Sequence, residues 1–171
     1  MKNNISLIGF MGSGKTTIGK MMADRLGYLF FDMDDLIEIS EQRKINDIFK
    51  ESGEEYFRNI ESKILEKVIS NKDCVFACGG GVVLKGENMD MISENSYVVY
   101  LMISPAEAIK RLSRSINRPL LPYKNRNEKI YELINTRSKQ YCKYADIIIN
   151  DEKISPEDTA KKIIARIKKA G

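Results

Sequence analysis

The stretch GFMGSGKT, at residues 9–16, constrains the fold more than any other part of the chain. It fits the pattern G-x-x-x-x-G-K-[ST], and it lies between an apolar run, NISLI, and a segment with apolar residues at helical spacing. Such a turn, between a buried strand and a helix, points backbone N–H groups and the positive end of the helix dipole at one place. The sequence therefore predicts a phosphate-binding loop on an α/β scaffold.

The loop supplies the first candidate site residues. Its backbone amides can surround phosphate oxygens, Lys15 can reach the β- and γ-phosphates of a nucleotide, and the Thr16 hydroxyl can hold Mg²⁺. The alternative is a glycine-rich strand–helix turn without a ligand, which the motif and its context together disfavour. We expect a nucleoside triphosphate to contact six consecutive residues: Gly12, Ser13, Gly14, Lys15, Thr16 and Thr17.

Short apolar segments alternate with helical patterns along the rest of the chain. The predicted strands are NISLIGF, YLFFD, CVFAC, YVVYLMI and DIIIN. The helix before the last strand is EKIYELINTRSKQY, and two other helices begin at Ser-Pro pairs. A further helix begins with a capping box of Ser52 and Glu55. Short buried strands separated by helices are typical of a three-layer α/β fold, with a five-stranded parallel sheet covered by helices on both faces. We expect one domain over residues 1–171.

One segment does not fit this alternation. Residues 113–127, SRSINRPLLPYKNRN, are polar, basic and interrupted by Pro119 and Pro122. Because ordinary connections in compact domains are shorter, this segment is predicted to be a functional loop or lid.

Composition narrows the class of protein. Net charge is +4, which is compatible with anionic substrates but too weak to indicate nucleic acid, and no clustered basic stripe stands beside stacking aromatics. No segment resembles a signal peptide or a membrane span, and the three cysteines match no disulfide or zinc spacing. We therefore expect a cytoplasmic protein with reduced cysteines in its core. Histidine is absent, so any catalysis must use carboxylates, lysine, arginine, backbone amides or metal.

The second predicted strand ends in a group of carboxylates. The run LFFDMDD places Asp32, Asp34 and Asp35 within one turn of chain. Asp32 and Asp34 point to the same side of a strand end, so one could serve the magnesium shell while the other meets a substrate hydroxyl. The alternative is that these residues only cap the next helix, a role that suits Asp35 best.

Two arginines occupy positions on apolar helix stripes. Arg58 and Glu61 share a stripe with Leu65, and Arg137 falls seven residues after Ile130. A guanidinium at the edge of a buried face is costly unless it is paired. It can grip a carboxylate with two hydrogen bonds, which favours a small anionic acceptor, whereas the alternative is an internal ion pair such as Arg58 with Glu61.

Three consecutive glycines, Gly79, Gly80 and Gly81, follow the third predicted strand. The carboxyl ends of parallel strands meet at one edge, so this run is expected beside the phosphate loop. A tight turn would need one or two glycines with positive φ. Three residues without Cβ favour close approach of the main chain to a ligand.

Together these segments resemble the shikimate kinase family. The resemblance rests on GFMGSGKTTIG, FFDMDDLIE, IFKESGEEYFRNIE, CGGGVV and NRPLL, in that order and with fitting spacing, and it weakens after Tyr144. It implies a P-loop NTPase fold of the nucleoside-monophosphate-kinase kind. It also implies transfer of the γ-phosphoryl group of ATP to the 3-hydroxyl of shikimate, with Mg²⁺, on the route to chorismate and the aromatic amino acids.

The resemblance also assigns roles to individual residues. Asp34 would orient the attacking hydroxyl, Arg118 would be the lid arginine that closes over the phosphates, and Arg111 would flank adenine. Thr16, with Asp32 acting through water, would match the magnesium shell. The family's shikimate site maps onto six residues: Asp34, Arg58, Gly79, Gly80, Gly81 and Arg137. The partners implied are ATP and shikimate, without nucleic acid or membrane, and the family suggests a monomer.

Two other functions fit parts of the pattern. Another small P-loop kinase, related to gluconate or nucleotide kinases, would share the phosphate loop and the lid. A nucleotide-dependent switch or a nucleic-acid-binding ATPase that uses the basic tail would hydrolyse ATP without a small acceptor.

Overall fold

The computed structural model describes residues 2–113, 119–121, 124–150 and 153–170. The strands of the described chain are β1 (Asn4–Ile8), β2 (Leu29–Asp32), β3 (Cys74–Ala77), β4 (Ser96–Leu101) and β5 (Ile147–Ile149). The helices are α1 (Lys15–Leu26), α2 (Met33–Glu41), α3 (Ile45–Val68), α4 (Gly86–Asn95), α5 (Pro105–Leu112), α6 (Arg126–Tyr144) and α7 (Pro156–Ala170). None of these helices is both long and apolar enough to cross a bilayer.

The five strands form one parallel sheet in the order β2-β3-β1-β4-β5, which confirms the predicted fold class. β1 is central and fully buried because β3 and β4 pair with it on either side. In this strand order, the chain leaves β1 toward β2 on one side of the sheet and leaves β3 toward β4 on the other side. The divergence of these two connections opens a crevice at the carboxyl edge of the sheet, where ligands bind in open α/β sheets.

Successive side chains along each strand point to opposite faces of the sheet, so each face carries an apolar core. On one face Leu7, Val75 and Val99 pack with residues of α1 and α7. On the other face Ile8, Phe76 and Tyr100 pack with residues of α2, α3, α4 and α6. Full burial of each large apolar side chain contributes about 1.5–3 kcal/mol, so both faces of the strands stabilise the three layers.

The predicted helices differ from the structure mainly at α3 and α4. α3 begins at Ile45 rather than Ser52, and it contains a kink at Gly53, one residue from the predicted start. α4 was not predicted, because Met89 and Ile92 are its only fully buried apolar residues and give a weak stripe. The start of α5 is confirmed, since the Ser104 hydroxyl accepts a hydrogen bond from the Glu107 amide.

Part of the predicted lid lies outside the described residues, including Arg118 and the rest of 114–118 as well as 122–123. α6 begins at Arg126, inside the predicted segment, so its last two residues are helical. Leu121 is buried and joins a third apolar cluster with Phe10 and Leu112. This cluster links the described part of the segment to the loop that follows β1.

The cysteines only partly match the expectation. Cys74 and Cys78 are buried free thiols in the core, as predicted. Cys142 is free but exposed, so its prediction as a core residue is wrong. It follows the buried Tyr141 on α6, and the helical turn carries it to the solvent side.

Candidate active site

The loop after β1 has the conformation that its glycines predict. Gly12 and Gly14 have φ values of 81° and 94°, in a region that residues with a Cβ rarely adopt. Gly14 precedes α1 directly, so the first amides of that helix face the crevice. All six residues predicted to contact a triphosphate, 12–17, line one cleft.

Lys15 and Thr16 carry the polar side chains of this loop. The Lys15 ammonium donates hydrogen bonds to the carbonyl oxygens of Gly9, at 2.8 Å, and Phe10, at 3.1 Å. These bonds hold the cation within the curve of the loop, beside the helix N-terminus. The Thr16 hydroxyl donates to Asp32 Oδ2 at 2.7 Å, which joins the loop to the end of β2.

Asp32 has two roles in this geometry. Its Oδ1 accepts a hydrogen bond from the Asp34 amide at 3.0 Å, which makes Asp32 the N-cap of α2. The interpretation that Asp35 best suits the capping role is therefore wrong, because the helix starts at Met33, before Asp35. Thr16 and Asp32 present hard oxygen atoms side by side, a donor set that fits Mg²⁺ bound mainly through phosphate and water. No group of three or more potential metal-ligating His, Cys, Asp or Glu side chains occurs in the described part of the chain.

The three glycines after β3 face side chains from α2 and α3. A Cβ on Gly79 would lie 2.5 Å from Glu61 Oε1 and 3.3 Å from Asp34 Oδ1. A Cβ on Gly81 would lie 2.2 Å from Arg58 Nη2. None of the three glycines has positive φ. Close approach of protein side chains therefore explains Gly79 and Gly81, whereas a Cβ on Gly80 would lie no closer than 3.5 Å to any neighbour. Contact of the run with a ligand stays a prediction.

Arg58 is buried and held by two carboxylates. Its Nη1 donates to Glu61 at 2.8 Å, while Nε and Nη2 donate to Glu54 Oε1 at 3.3 and 3.1 Å. Burial disfavours the charged form of Arg58, but Glu61 and Glu54 outweigh it and raise its pKa. The internal ion pair considered for Arg58 thus exists, and the guanidinium also lines the cleft.

Glu61 lies under this cluster, 1% exposed. Burial raises the pKa of the Glu61 carboxyl against the opposing effect of Arg58, and nearby Asp34 adds to the rise. Among the described residues, Glu61 Oε1 has no hydrogen-bond partner. The Glu61 side chain that holds Arg58 therefore lies in the wall of the cleft with one buried oxygen atom that no described group satisfies.

Arg137 reaches the same glycines from the opposite side. It is 3% exposed on α6, on the buried stripe with Ile130 and Ile134, which confirms the predicted face. Its Nη1 donates to the carbonyl oxygen of Gly80 at 3.2 Å, and the Tyr141 hydroxyl donates to the same oxygen. Two arginines from helices distant in sequence thus meet at adjacent glycines.

The phosphate loop, the carboxylates of Asp32, Asp34 and Glu61, the three glycines and both arginines line one cleft with a volume of about 1130 Å³. Typical small-molecule pockets occupy roughly 300–1000 Å³, so the cleft has room for two ligands end to end. Arg111 lines it at the far side of the phosphate loop, where its Nη1 donates to the Gly12 carbonyl oxygen at 3.1 Å. The wall there also contains Thr159 and five apolar residues: Leu101, Met102, Ile149, Ile154 and Pro156.

Several residues of the cleft wall were not predicted from the sequence. The first half of α3 contributes Ile45, Asn46 and Phe49. The Phe49 ring centre lies 4.7 Å from that of Phe57, with the two rings tilted by 38°. The segment NDIFK carries a helical pattern too short to separate from a loop, which hid these residues. Glu54 was missed as a partner of Arg58, although its i, i+4 spacing is a usable signal.

A phosphate loop that shares one cleft with carboxylates and two buried guanidinium groups is the arrangement of a P-loop kinase for a small anionic acceptor. Comparison with known proteins agrees. The chain belongs to the shikimate kinase family, because the model of that family, described as shikimate kinase, matches residues 11–168.

Individual relatives extend over almost the whole chain. A shikimate kinase from Persephonella marina is 44% identical and covers 96% of this chain and 99% of its own length. One from Thermodesulfovibrio yellowstonii is 43% identical and covers 94% of this chain and 92% of its own length. The chain is therefore an ATP-dependent kinase of this family.

Solved structures show the same relationship. The shikimate kinase from Acinetobacter baumannii, in complex with shikimate, superposes with a TM-score of 0.96 at 35% identity, covering 99% of this chain and 95% of that one. The Aquifex aeolicus shikimate kinase gives 0.84 at 33% identity, with 96% of both chains covered. A deoxyadenosine kinase from M. mycoides, 17% identical with a TM-score of 0.63 over 96% of this chain and 98% of its own, shares the fold alone.

Proposed function

We propose that this protein transfers the γ-phosphoryl group of ATP to the 3-hydroxyl of shikimate, using Mg²⁺. The product is shikimate 3-phosphate, on the route to chorismate and the aromatic amino acids. The observation that carries the proposal is the meeting of Arg58 and Arg137 at adjacent glycines, in the cleft that holds the phosphate loop. Family membership and the shikimate-bound relative support it.

On the acceptor side, the arginines bind the shikimate carboxylate through charge-assisted hydrogen bonds, and the amides of Gly79, Gly80 and Gly81 lie beside the ring. Phe49 and Phe57 provide an apolar wall for its carbon face. Asp34, on the first turn of α2, orients the 3-hydroxyl. The acceptor must carry both a carboxylate and a hydroxyl to satisfy this geometry.

On the nucleotide side, residues 12–17 bind the triphosphate, and Arg111 and the apolar wall flank adenine. Thr16 and Asp32 would hold Mg²⁺, which neutralises phosphate charge when it is bound. Lys15 leaves its contacts with the loop carbonyls for the β- and γ-phosphates. Arg118, in the lid proposed for residues 113–127, completes the charge around the transferred group.

The chemical step is an in-line displacement. The 3-hydroxyl oxygen bonds to the γ-phosphorus as the bond to the β–γ bridging oxygen breaks, and ADP leaves. In this proposal Asp34 accepts the hydroxyl proton. Because the transition state is loose, alignment and charge stabilisation by Lys15 and Arg118 contribute more than proton removal. A closed lid excludes the water that would otherwise accept the phosphoryl group.

The proposal extends to the whole molecule. We propose one kinase domain over residues 1–171 that works as a cytoplasmic monomer, with ATP and shikimate as its partners. Free thiols at Cys74, Cys78 and Cys142 suit a reducing compartment.

The Arg137→Ala variant tests the acceptor site. Loss of one charge-assisted grip should weaken shikimate binding about 10- to 100-fold and change ATP binding less than twofold, measured by calorimetry with each ligand. Arg166→Ala is the matched control, because Arg166 also donates to a backbone carbonyl, that of Ile148, but lies outside the cleft. An equal loss of affinity for both ligands would contradict the proposed contact between Arg137 and the shikimate carboxylate.

A second experiment separates this activity from that of other P-loop kinases. ADP release is measured with shikimate, gluconate and nucleosides as acceptors, and without any acceptor. We expect shikimate alone to give rapid turnover, because it carries the carboxylate at the required distance from a hydroxyl on a rigid ring. Faster turnover with an uncharged acceptor would overturn the proposal.

A further inference from the structure

α3 is kinked at Gly53, and its two halves build different parts of the acceptor wall. The first half contributes the wall residues Ile45, Asn46 and Phe49, and the second contributes Phe57, Arg58 and Glu61. The distance between the aromatic wall and the guanidinium of Arg58 therefore depends on the angle at the kink.

Gly53 permits this angle but does not set it. Its φ of 84° and ψ of 173° lie in a region essentially restricted to glycine. A Cβ built on Gly53 meets nothing within 4 Å, so no packing at the residue itself restrains the kink. Restraint has to come from side chains that contact both halves of the helix.

Arg43, in the connection between α2 and α3, makes such contacts. Before the kink, its Nη1 donates to Glu51 Oε2 at 3.2 Å and to the Ser52 hydroxyl at 3.3 Å. After the kink, its guanidinium carbon lies 5.7 Å from the centre of the Tyr56 ring. Its Nη2 donates at 2.7 Å to Glu41 Oε2, at the end of α2.

Glu41 joins Arg43 and Tyr56 in one hydrogen-bond network. The Tyr56 hydroxyl donates at 2.9 Å to the same Oε2 that accepts from Arg43. Hydrogen bonds from Arg43 and Tyr56 lower the pKa of Glu41, and the bond to Glu41 raises the pKa of Tyr56. At neutral pH Glu41 is thus ionised and Tyr56 keeps its proton, the states that the bonds require.

We propose that Arg43 is a positioning residue for the acceptor site, which fixes the kink at Gly53 by joining residues on both sides of it to the end of α2. The planar guanidinium can do this because it donates in several directions within one plane, which an ammonium cannot. Arg43 does not line the cleft, so its effect on the acceptor passes through the geometry of α3. The inference rests on the proposed function, since it concerns the site assigned to shikimate.

Arg43→Ala tests the inference, with steady-state KM measured separately for shikimate and ATP. A displacement of about 1 Å at a binding group can cost up to 100-fold, so we expect the KM for shikimate to rise roughly 5- to 20-fold. The KM for ATP should change less than twofold. Arg43→Lys should restore only part of the affinity, and Tyr56→Phe, which keeps the ring and loses one hydrogen bond, should raise the KM for shikimate about two- to threefold.

Arg25→Ala is the control, because Arg25 makes a comparable surface ion pair with Glu157 at 2.6 Å on the other face of the sheet. It should leave both KM values unchanged. The inference is overturned if folded Arg43→Ala keeps the wild-type KM for shikimate, or if both KM values rise equally. If Arg43→Ala does not fold, an unchanged KM for shikimate in Tyr56→Phe overturns it. Failure of the proposed function would show separately, as Arg137→Ala with unchanged shikimate binding.

Discussion

Two glycine-rich loops stand side by side at the edge of the sheet, and they need glycine for different reasons. In the loop after β1, Gly12 and Gly14 have positive φ, and a Cβ on either would lie no closer than 3.4 Å to a neighbour. After β3, Gly79 and Gly81 have ordinary φ, but a Cβ would collide with Glu61 or Arg58. Gly12 and Gly14 are thus required by their own backbone conformation, whereas Gly79 and Gly81 are required by side chains that arrive from a distant helix. Gly9, at the start of the first loop, combines both reasons, because its φ is 142° and a Cβ there would lie 2.5 Å from the Leu101 carbonyl oxygen.

The difference corresponds to what each loop does. In the proposed function, the phosphate loop turns its amides toward the phosphates of ATP. The glycine run makes room for protein groups that, in the proposed function, bind the acceptor. Substitutions that disturb one loop should therefore affect one substrate, and the following predictions test that separation.

Lys15→Met should have the largest effect. It removes the charge that the phosphate loop supplies to the transferred group, so kcat should fall about a thousandfold or more. Shikimate binding, measured by calorimetry, should be nearly unchanged. Lys67→Met, at an exposed position at the end of α3, is the matched control and should keep full activity. Wild-type turnover in folded Lys15→Met would refute the role of the loop.

Gly81→Ala should have the next largest effect. The new methyl group occupies the place of the Arg58 guanidinium, so that side chain must move. We expect the KM for shikimate to rise about 30- to 100-fold and that for ATP to stay within twofold. Gly86→Ala, where a Cβ would lie 3.8 Å from the nearest atom, should change neither. A rise in the KM for ATP alone would contradict the assignment of this loop to the acceptor.

Gly14→Ala should raise the KM for ATP rather than that for shikimate, and by a smaller factor. Here strain rather than collision dominates, and a non-glycine residue in this backbone conformation costs about 1–3 kcal/mol of folding free energy. Denaturant unfolding should show that loss, and the KM for ATP should rise several-fold while the KM for shikimate changes little. An unchanged unfolding free energy would show that backbone strain does not specify this loop.

Thiol labelling should show the smallest effect, and it tests the end of β3, where the chain enters the glycine run. Cys78, directly before the glycine run, is fully buried, and burial raises its pKa to about 12. It therefore stays protonated and unreactive at pH 8, while exposed Cys142 reacts with an alkylating reagent. Mass spectrometry after digestion should find label at Cys142 only. Rapid labelling of Cys78 in the native protein would mean that the floor of the cleft opens readily.

Much of the site could be predicted because its signals are local. The motif at residues 9–16 contains the whole turn after β1 and the first two residues of α1. The unusual positions of Arg58 and Arg137 follow from helical periodicity alone, and both are buried as predicted. The hydrogen bond between Thr16 and Asp32 was harder to predict from residue patterns, because the residues are sixteen positions apart and no local pattern joins their side chains.

Local patterns of residues were enough to predict the alternation of strands and helices, the phosphate loop and the stripes that bury two arginines, because each depends on φ, on periodicity or on residue spacing within a few turns. Three features became visible only in the folded chain: the groups that fill the space above the glycine run, the aspartate that caps α2, and the contacts of Arg43 with the two halves of α3. These features depend on distances between segments that are remote along the chain, and packing of the whole sheet sets such distances.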